Sequence, residues 1–273
     1  MISSLSLPIL VLSLLIAGAS TFKLDHNAPL FTYSGLTGPA KWGSLSPDYY
    51  KCSSGKVQSP VNIKKDEVVR NKKLKPLTRD YRPANATLIN NGFNIGIHFE
   101  ESPGVLDVDG KSYTLKQMHW HSPSEHRING VQYPAELHLV HRSDDGNLSV
   151  VAVLFKYSDH PDPLLSKMKV KVHELAKDVC AGDEEAHIPL GTLNLKQLRK
   201  RTRKYYRYVG SLTTPPCSET VIWNILGKVR CISKEQVEAI KAPLHSPYKN
   251  NSRPCQLLNG RKIELYDELD DDK

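Results

Sequence analysis

Past its first twenty residues the chain has no apolar run long enough to span a bilayer, no internal repeat and no low-complexity linker. Those absences exclude a polytopic membrane protein, a solenoid and a pair of domains on a flexible tether. Proline and glycine, 18 and 16 in number, are scattered singly rather than gathered at a boundary. A chain of 273 residues fits one large sheet-rich domain, so a single core is expected. The N-terminal run MISSLSLPILVLSLLIAGAS lacks Lys and Arg, which leaves the α-amino group as its only positive charge. Ala17-Gly18-Ala19 nevertheless has the small-x-small pattern of a signal-peptidase site. Residues 1–19 therefore read as a cleaved secretory signal, with an uncleaved anchor as the rival reading. Residues 20–273 read as one domain with no stable membrane insertion once the signal is gone.

The five cysteines, Cys52, Cys180, Cys217, Cys231 and Cys255, suit an oxidising compartment and leave at least one unpaired. Sequons at Asn85, Asn147 and Asn250 agree with passage through the secretory route as glycosylation sites. The net charge of +8 is densest in KQLRKRTRKYYR, Lys196 to Arg207. No nucleic-acid-binding motif accompanies it and the signal removes the chain from nucleic acid, so no nucleic-acid partner is expected and the stretch reads as a solvated helix or loop face. The tail YDELDDDK reads as an acidic, frayed terminus.

Short β-rich runs bounded by turn residues recur at 86–90, 93–99, 105–108, 115–121, 135–141 and 148–157. Val221 to Val229 is apolar on both faces and reads as a central strand. Helical spacing is confined to 163–176 and 234–240. The expected fold is mainly β (α+β), one sheet-dominated domain with peripheral helices.

Chemistry concentrates in two of these strands. In Leu115 to His121, LKQMHWH, alternation puts Gln117, His119 and His121 on one face. In Pro134 to His141, PAELHLVH, Glu136, His138 and Val140 share a face. Asn129-Gly130 between them is a hairpin turn signal, so the strands are expected to pair antiparallel and bring His138 to the other two imidazoles. Three imidazoles without a cysteine ligand suit a catalytic zinc site with a fourth position open. Gln117 and Glu136, each two residues before a histidine, are placed to hold the second ring nitrogens. His126 and His141 lie in the same stretch, and spacing alone leaves open which three of the five ligate. A second cluster, Gly210 to Cys217, GSLTTPPC, sets two hydroxyls before two prolines in a rigid loop. A threonine there is suited to accept a hydrogen bond from a metal-bound hydroxide and donate to a carboxylate, for which Glu125 is the candidate.

Taken together, Trp42-Gly43, Gln58 to Ile63 (QSPVNI), Asn90-Asn91-Gly92, Gln117 to His121, Ser124-Glu125-His126, Ala135 to His141 and Gly210 to Cys217 resemble the alpha-class carbonic anhydrases, the plant members most, over residues 33–266. The resemblance implies a central, largely antiparallel ten-stranded twisted sheet. It implies a Zn2+ cofactor on His119, His121 and His138, a relay of Thr213 and Glu125, and structural roles for His126 and His141. Carbon dioxide and bicarbonate are the implied substrate and product. Val140, Val151, Leu212 and Trp223 fall on the apolar side of the substrate pocket, and Thr214, Tyr33, Asn91 and Gln117 on its polar side. A Cys52–Cys217 disulfide is implied as well.

One departure concerns proton delivery. Efficient members of the family carry a histidine after Asn91-Gly92, where this chain has Phe93, so slowed proton transfer is expected. Gly96 replaces a common polar amide. His98 shares the parity of Asn94 and Gly96; it reads first as a surface histidine with no role, with a weak substitute near the cavity mouth as the rival reading. The competing functions are a non-catalytic storage or binding protein on the same scaffold and a metallohydrolase acting on esters. The expected compartment is extracellular, with the chloroplast, reached through the secretory route, as the alternative.

Overall fold

The computed structural model describes residues 31–180, 186–199 and 202–268. The proposed signal at 1–19 and the end of the acidic tail lie outside the described residues, as does the side chain of Cys180. Ten strands form a continuous path: β1 (Val69–Arg70), β2 (Ala84–Asn90), β3 (Ile95–Phe99), β4 (Lys111–His121), β5 (Ala135–Arg142), β6 (Leu148–Tyr157), β7 (His187–Leu193), β8 (Lys204–Ser211), β9 (Glu219–Leu226) and β10 (Glu264–Asp267). Their spatial order is β7-β2-β3-β4-β5-β6-β9-β8-β10-β1. Three further strands, Thr78–Tyr81, Gly104–Val108 and Arg230–Ile232, join off this path. Pairing is antiparallel except where β6 meets β9 and Arg230–Ile232, and where β10 meets β1. The ten-stranded, mainly antiparallel sheet expected from the resemblance is therefore present, with three additions.

Alternation along the strands divides the interior into two cores. One face, with Met118, Trp120, Leu137, Leu139, Val151 and Val153, packs beneath the helices α1 (Pro163–Cys180) and α2 (Lys234–Lys241). These begin on identifiable caps. Asp162 Oδ1 accepts from the N–H groups of Leu164 and Leu165, and Ser233 and Gln236 form a capping box. The other face carries Val150, Ala152, Leu154, Tyr206, Tyr208, Trp223 and Ile225. Among the described residues no helix is long and apolar enough to cross a membrane.

Three expectations change. Asn129 and Gly130, both at positive φ, close a hairpin between Arg127–Ile128 and Val131–Gln132 in a separate three-stranded sheet, not the turn between β4 and β5. The basic stretch is not simply a solvated face. Lys196–Leu198 is one turn of 3-10 helix with Leu198 buried, while Lys204 to Arg207 enter β8, where Tyr205 and Tyr206 are buried. Arg207 is buried between Asn224 and Asp109. Two of the stretch's seven positive charges, Lys204 and Arg207, are thus built into the sheet on either side of the buried Tyr205 and Tyr206. The tail, too, begins as strand: Tyr266 and Asp267 of β10 are buried against β8, and Asp267 pairs with Lys204 at 2.6 Å.

Candidate metal centre

β4 and β5 set His119 directly opposite His138 and His121 opposite Glu136. The three imidazoles converge with ring centroids 5.0, 5.1 and 4.6 Å apart. One nitrogen from each lies within 4.8 Å of the others. Each remaining nitrogen has an acceptor. His119 Nδ1 donates to Gln117 Oε1 at 2.7 Å, His121 Nδ1 to the Asn251 carbonyl at 2.5 Å and His138 Nε2 to Glu136 Oε1 at 2.8 Å. An amide, carbonyl or carboxylate oxygen can only accept, so the proton sits on those nitrogens and the lone pairs of His119 Nε2, His121 Nε2 and His138 Nδ1 turn inward. Burial lowers the pKa of all three rings, that of His121 to about 4, so they are neutral at physiological pH.

Polar atoms left without hydrogen-bond partners mark the same spot. His121 Nε2 and Glu125 Oε2, 3.5 Å apart, and the Tyr33 hydroxyl are all buried without one. In a protein interior such atoms are rare unless something binds there. Three neutral imidazoles with secured second nitrogens suit zinc, with a fourth position left for substrate or solvent. Among the described residues a second group, His126, Glu136 and His138, has similar spacing. Its donors are already spent on one another. Glu136 Oε1 accepts from His126 Nδ1 and His138 Nε2, its Oε2 from the N–H groups of Glu125 and His126, and His126 Nε2 meets the Tyr208 hydroxyl at 2.7 Å. His141 is closed in the same way by the Tyr81 hydroxyl and the Ser149 carbonyl. His126 and His141 thus have both ring nitrogens hydrogen-bonded, and among the described residues His119, His121 and His138 are the group whose inward nitrogens remain available.

Glu125 and Glu136 are both fully buried, and their carboxyls are pushed in opposite directions. Burial alone would raise Glu136, but His126 and His138 outweigh it and hold the carboxyl well below its usual range. Glu125 is pushed up to about 7 by burial, against the lowering influence of His138, Thr213 and the Arg253 N–H. That N–H donates to its Oε1 at 3.0 Å. Thr213 is buried in the loop before Cys217, which the Cys52–Cys217 disulfide pins to the N-terminal segment across 165 residues. Closing so long a loop stabilises the native state by about 5 kcal/mol in the chain-entropy account. Among the described residues Cys231 and Cys255 are free.

The pocket wall requires one correction. Val140 on β5 pairs with Gln117 and with Val150, and Val150 pairs with Trp223, so these four share the imidazole face. Val140 and Leu212 pack on the core that contains Val150 and Trp223. Val151 pairs with Leu139 and lies in the opposite core beneath the helices, so the sequence assignment was one residue out of register. Thr214 is half-buried beside Thr213. Asn91 turns its Oδ1 to the Asn94 N–H at 2.9 Å and so shapes the turn that carries Phe93. Phe93 packs on Phe31, ring centroids 5.2 Å apart. His98 lies on the imidazole face, opposite Gln117, and is exposed.

Sequence reasoning missed Asn251 and Arg253. Asn251 receives His121 on its carbonyl and Ser122 N–H on its Oδ1, and its Nδ2 donates to the carbonyls of Phe93 and Trp120. Arg253 spends its guanidinium on Gln58 and on the carbonyls of Ser59 and Cys52. A backbone acceptor 130 residues from its histidine leaves no trace in a motif, and Asn251 read only as the middle of a sequon.

Comparison with known proteins agrees with this geometry. The family model for eukaryotic-type carbonic anhydrase matches residues 37–267. Alpha carbonic anhydrase 7 of Arabidopsis thaliana is 39% identical over 229 residues, covering 84% of this chain and 81% of that protein. The fold is similar to that of dioscorin complexed with ascorbate, with a TM-score of 0.83, 34% identity and coverage of 88% of this chain and 98% of that one. It is also similar to the alpha-carbonic anhydrase of Thermovibrio ammonificans in complex with the inhibitor sulfanilamide, with a TM-score of 0.74, 37% identity and coverage of 86% and 99%.

Proposed function

The chain belongs to the eukaryotic-type carbonic anhydrase family, and from that premise we propose that it hydrates carbon dioxide reversibly to bicarbonate and a proton with one zinc held by His119, His121 and His138. The observation that carries the reading is the set of three inward lone pairs, each fixed by a bonded second nitrogen. Zinc, when bound, lowers the pKa of water from 15.7 to about 7 and so supplies a nucleophile at neutral pH.

The protein's own residues do the rest. Gln117, the Asn251 carbonyl and Glu136 keep the rings in one tautomer and orientation. Thr213 accepts a hydrogen bond from the nucleophile and donates to Glu125, which turns the reacting lone pair towards the substrate. Val140, Val150, Leu212 and Trp223 form an apolar wall that excludes water and holds carbon dioxide without coordinating it, with Thr214 at the polar edge. Ester hydrolysis is a side reaction of the same nucleophile.

Metal content and stopped-flow carbon dioxide hydration, measured on one purified sample before and after chelation, test the proposal. One zinc per chain and a hydration rate lost with the metal are expected. Zinc without hydration would instead establish a non-catalytic binding or storage role, a second reading favoured by the likeness to the ascorbate-bound dioscorin. We place the mature protein outside the cell as a glycoprotein, because the three sequon asparagines, Asn85, Asn147 and Asn250, are exposed. A tagged full chain found in plastids would overturn that placement.

A further inference from the structure

Each bicarbonate formed leaves one proton behind, and the turn after Asn91-Gly92 presents a phenyl ring, Phe93, which cannot accept it. We propose that His98 takes this proton and passes it to buffer, an inference that rests on the catalytic reading above.

The argument starts from register. His98 on β3 is opposite Gln117 on β4, and Gly96 is opposite His119. His98 and His119 are therefore diagonal neighbours on one face, a placement that separates side-chain origins by about 7–8 Å. The residue that would stand between them is Gly96. A Cβ there would come 3.7 Å from the His119 Cβ and 3.1 Å from the Met118 carbonyl. Gly96 is not among the residues at positive φ, so its backbone conformation does not call for glycine. Lacking a side chain, the buried Gly96 puts no group of its own between the side chains of His119 and His98 on that face. His98 itself is exposed on the face it shares with Gln117 and His119.

The ring has the chemistry the role needs. Partial burial and the imidazole of His187 on β7 lower its pKa, so it is neutral and able to accept at physiological pH. His119 on β4 and His187 are the titratable groups whose charge bears on it, while Gln117 and Thr87, its partners on the adjoining strands, are uncharged. The proton released by hydration moves through solvent to the unprotonated ring nitrogen of His98 and forms an imidazolium. A buffer base then removes that proton and leaves as its conjugate acid, which restores the neutral ring.

His98→Ala in the zinc-loaded protein is the test, with hydration followed at low concentration of a bulky buffer. The expected result is a fall in kcat of about tenfold with kcat/KM unchanged, and restoration by added imidazole. A second measurement follows the His98 ring by NMR in wild-type protein. Its pKa should fall by about half a unit when zinc is added, because the new charge lies on the face it shares. An unchanged kcat, a loss that imidazole does not restore, or a His98 pKa indifferent to zinc would each overturn the proposal. If the zinc-loaded wild type hydrates no carbon dioxide, the catalytic reading falls and the relay with it; hydration that persists unaltered in His98→Ala removes the relay alone.

Discussion

His138 and Leu139 are adjacent on β5, yet they belong to different halves of the molecule. His138 meets two other imidazoles and a buried carboxylate, while Leu139 packs beneath the helices among apolar side chains. The same contrast repeats at His119 and Met118 on β4 and at Val150 and Val151 on β6. One face of the sheet carries the buried polar groups of the site, and the other supplies the apolar burial that keeps the strands in register. Neighbouring substitutions should therefore separate chemistry from stability.

The largest effect is expected at His138→Ala, which should weaken zinc binding by about a hundredfold or more and abolish hydration, since partners outside the ligand set already cost about 10–100-fold. Leu139→Ala should do the reverse: a loss of about 2–5 kcal/mol in denaturant unfolding with zinc affinity retained. A zinc titration in which both behave alike would break the contrast between faces. Next in size is Glu136→Gln, for which a loss of about 10–100-fold in zinc affinity is expected. Glu136 accepts from His126 and His138 together, and an amide oxygen is the weaker partner for both.

The helix-covered face has its own titratable group. Burial holds His141 at a pKa of about 3, below the 6.5 of an unfolded histidine, so protons bind the unfolded chain preferentially. Its contribution to stability is fully present above pH 6.5 and is lost progressively as pH falls towards 3, by up to about 1.4 kcal/mol per pH unit. Unfolding measured between pH 7 and 5 should show that slope in the wild type and a shallower one in His141→Gln. The smallest effect is expected from Phe93→His, which should raise kcat several-fold at low buffer and leave kcat/KM unchanged. A large change in kcat/KM would mean that the Phe93 ring shapes substrate capture as well.

Legibility in the sequence followed the range of the interaction. Gln117 and Glu136 sit two residues before His119 and His138 on their strands, so period-two alternation exposes these pairs without a structure, although it leaves open which three of the five histidines converge. The strand at 148–157 and the starts of α1 and α2 were equally plain, being marked by turn residues and by helical spacing. Val151 was misassigned because β6 is apolar on both faces, so no polar residue marks which side looks at the metal. The run at Lys196 to Arg207 misled because charge density was counted without the tyrosines between the charges. Asn251 was beyond reach, since a main-chain carbonyl is the same in every residue.

That carbonyl also imposes an order of events. During synthesis the chain emerges with all three imidazoles in place by His138, but the acceptor for His121 Nδ1 arrives only with Asn251, and the N–H that holds Glu125 only with Arg253. A ribosome-bound fragment thus owns every proposed ligand and still has an unset tautomer at one of them. On the proposed reading, competence to hold the metal in its working geometry comes only after β9 and α2 have been made and just before β10 joins the sheet.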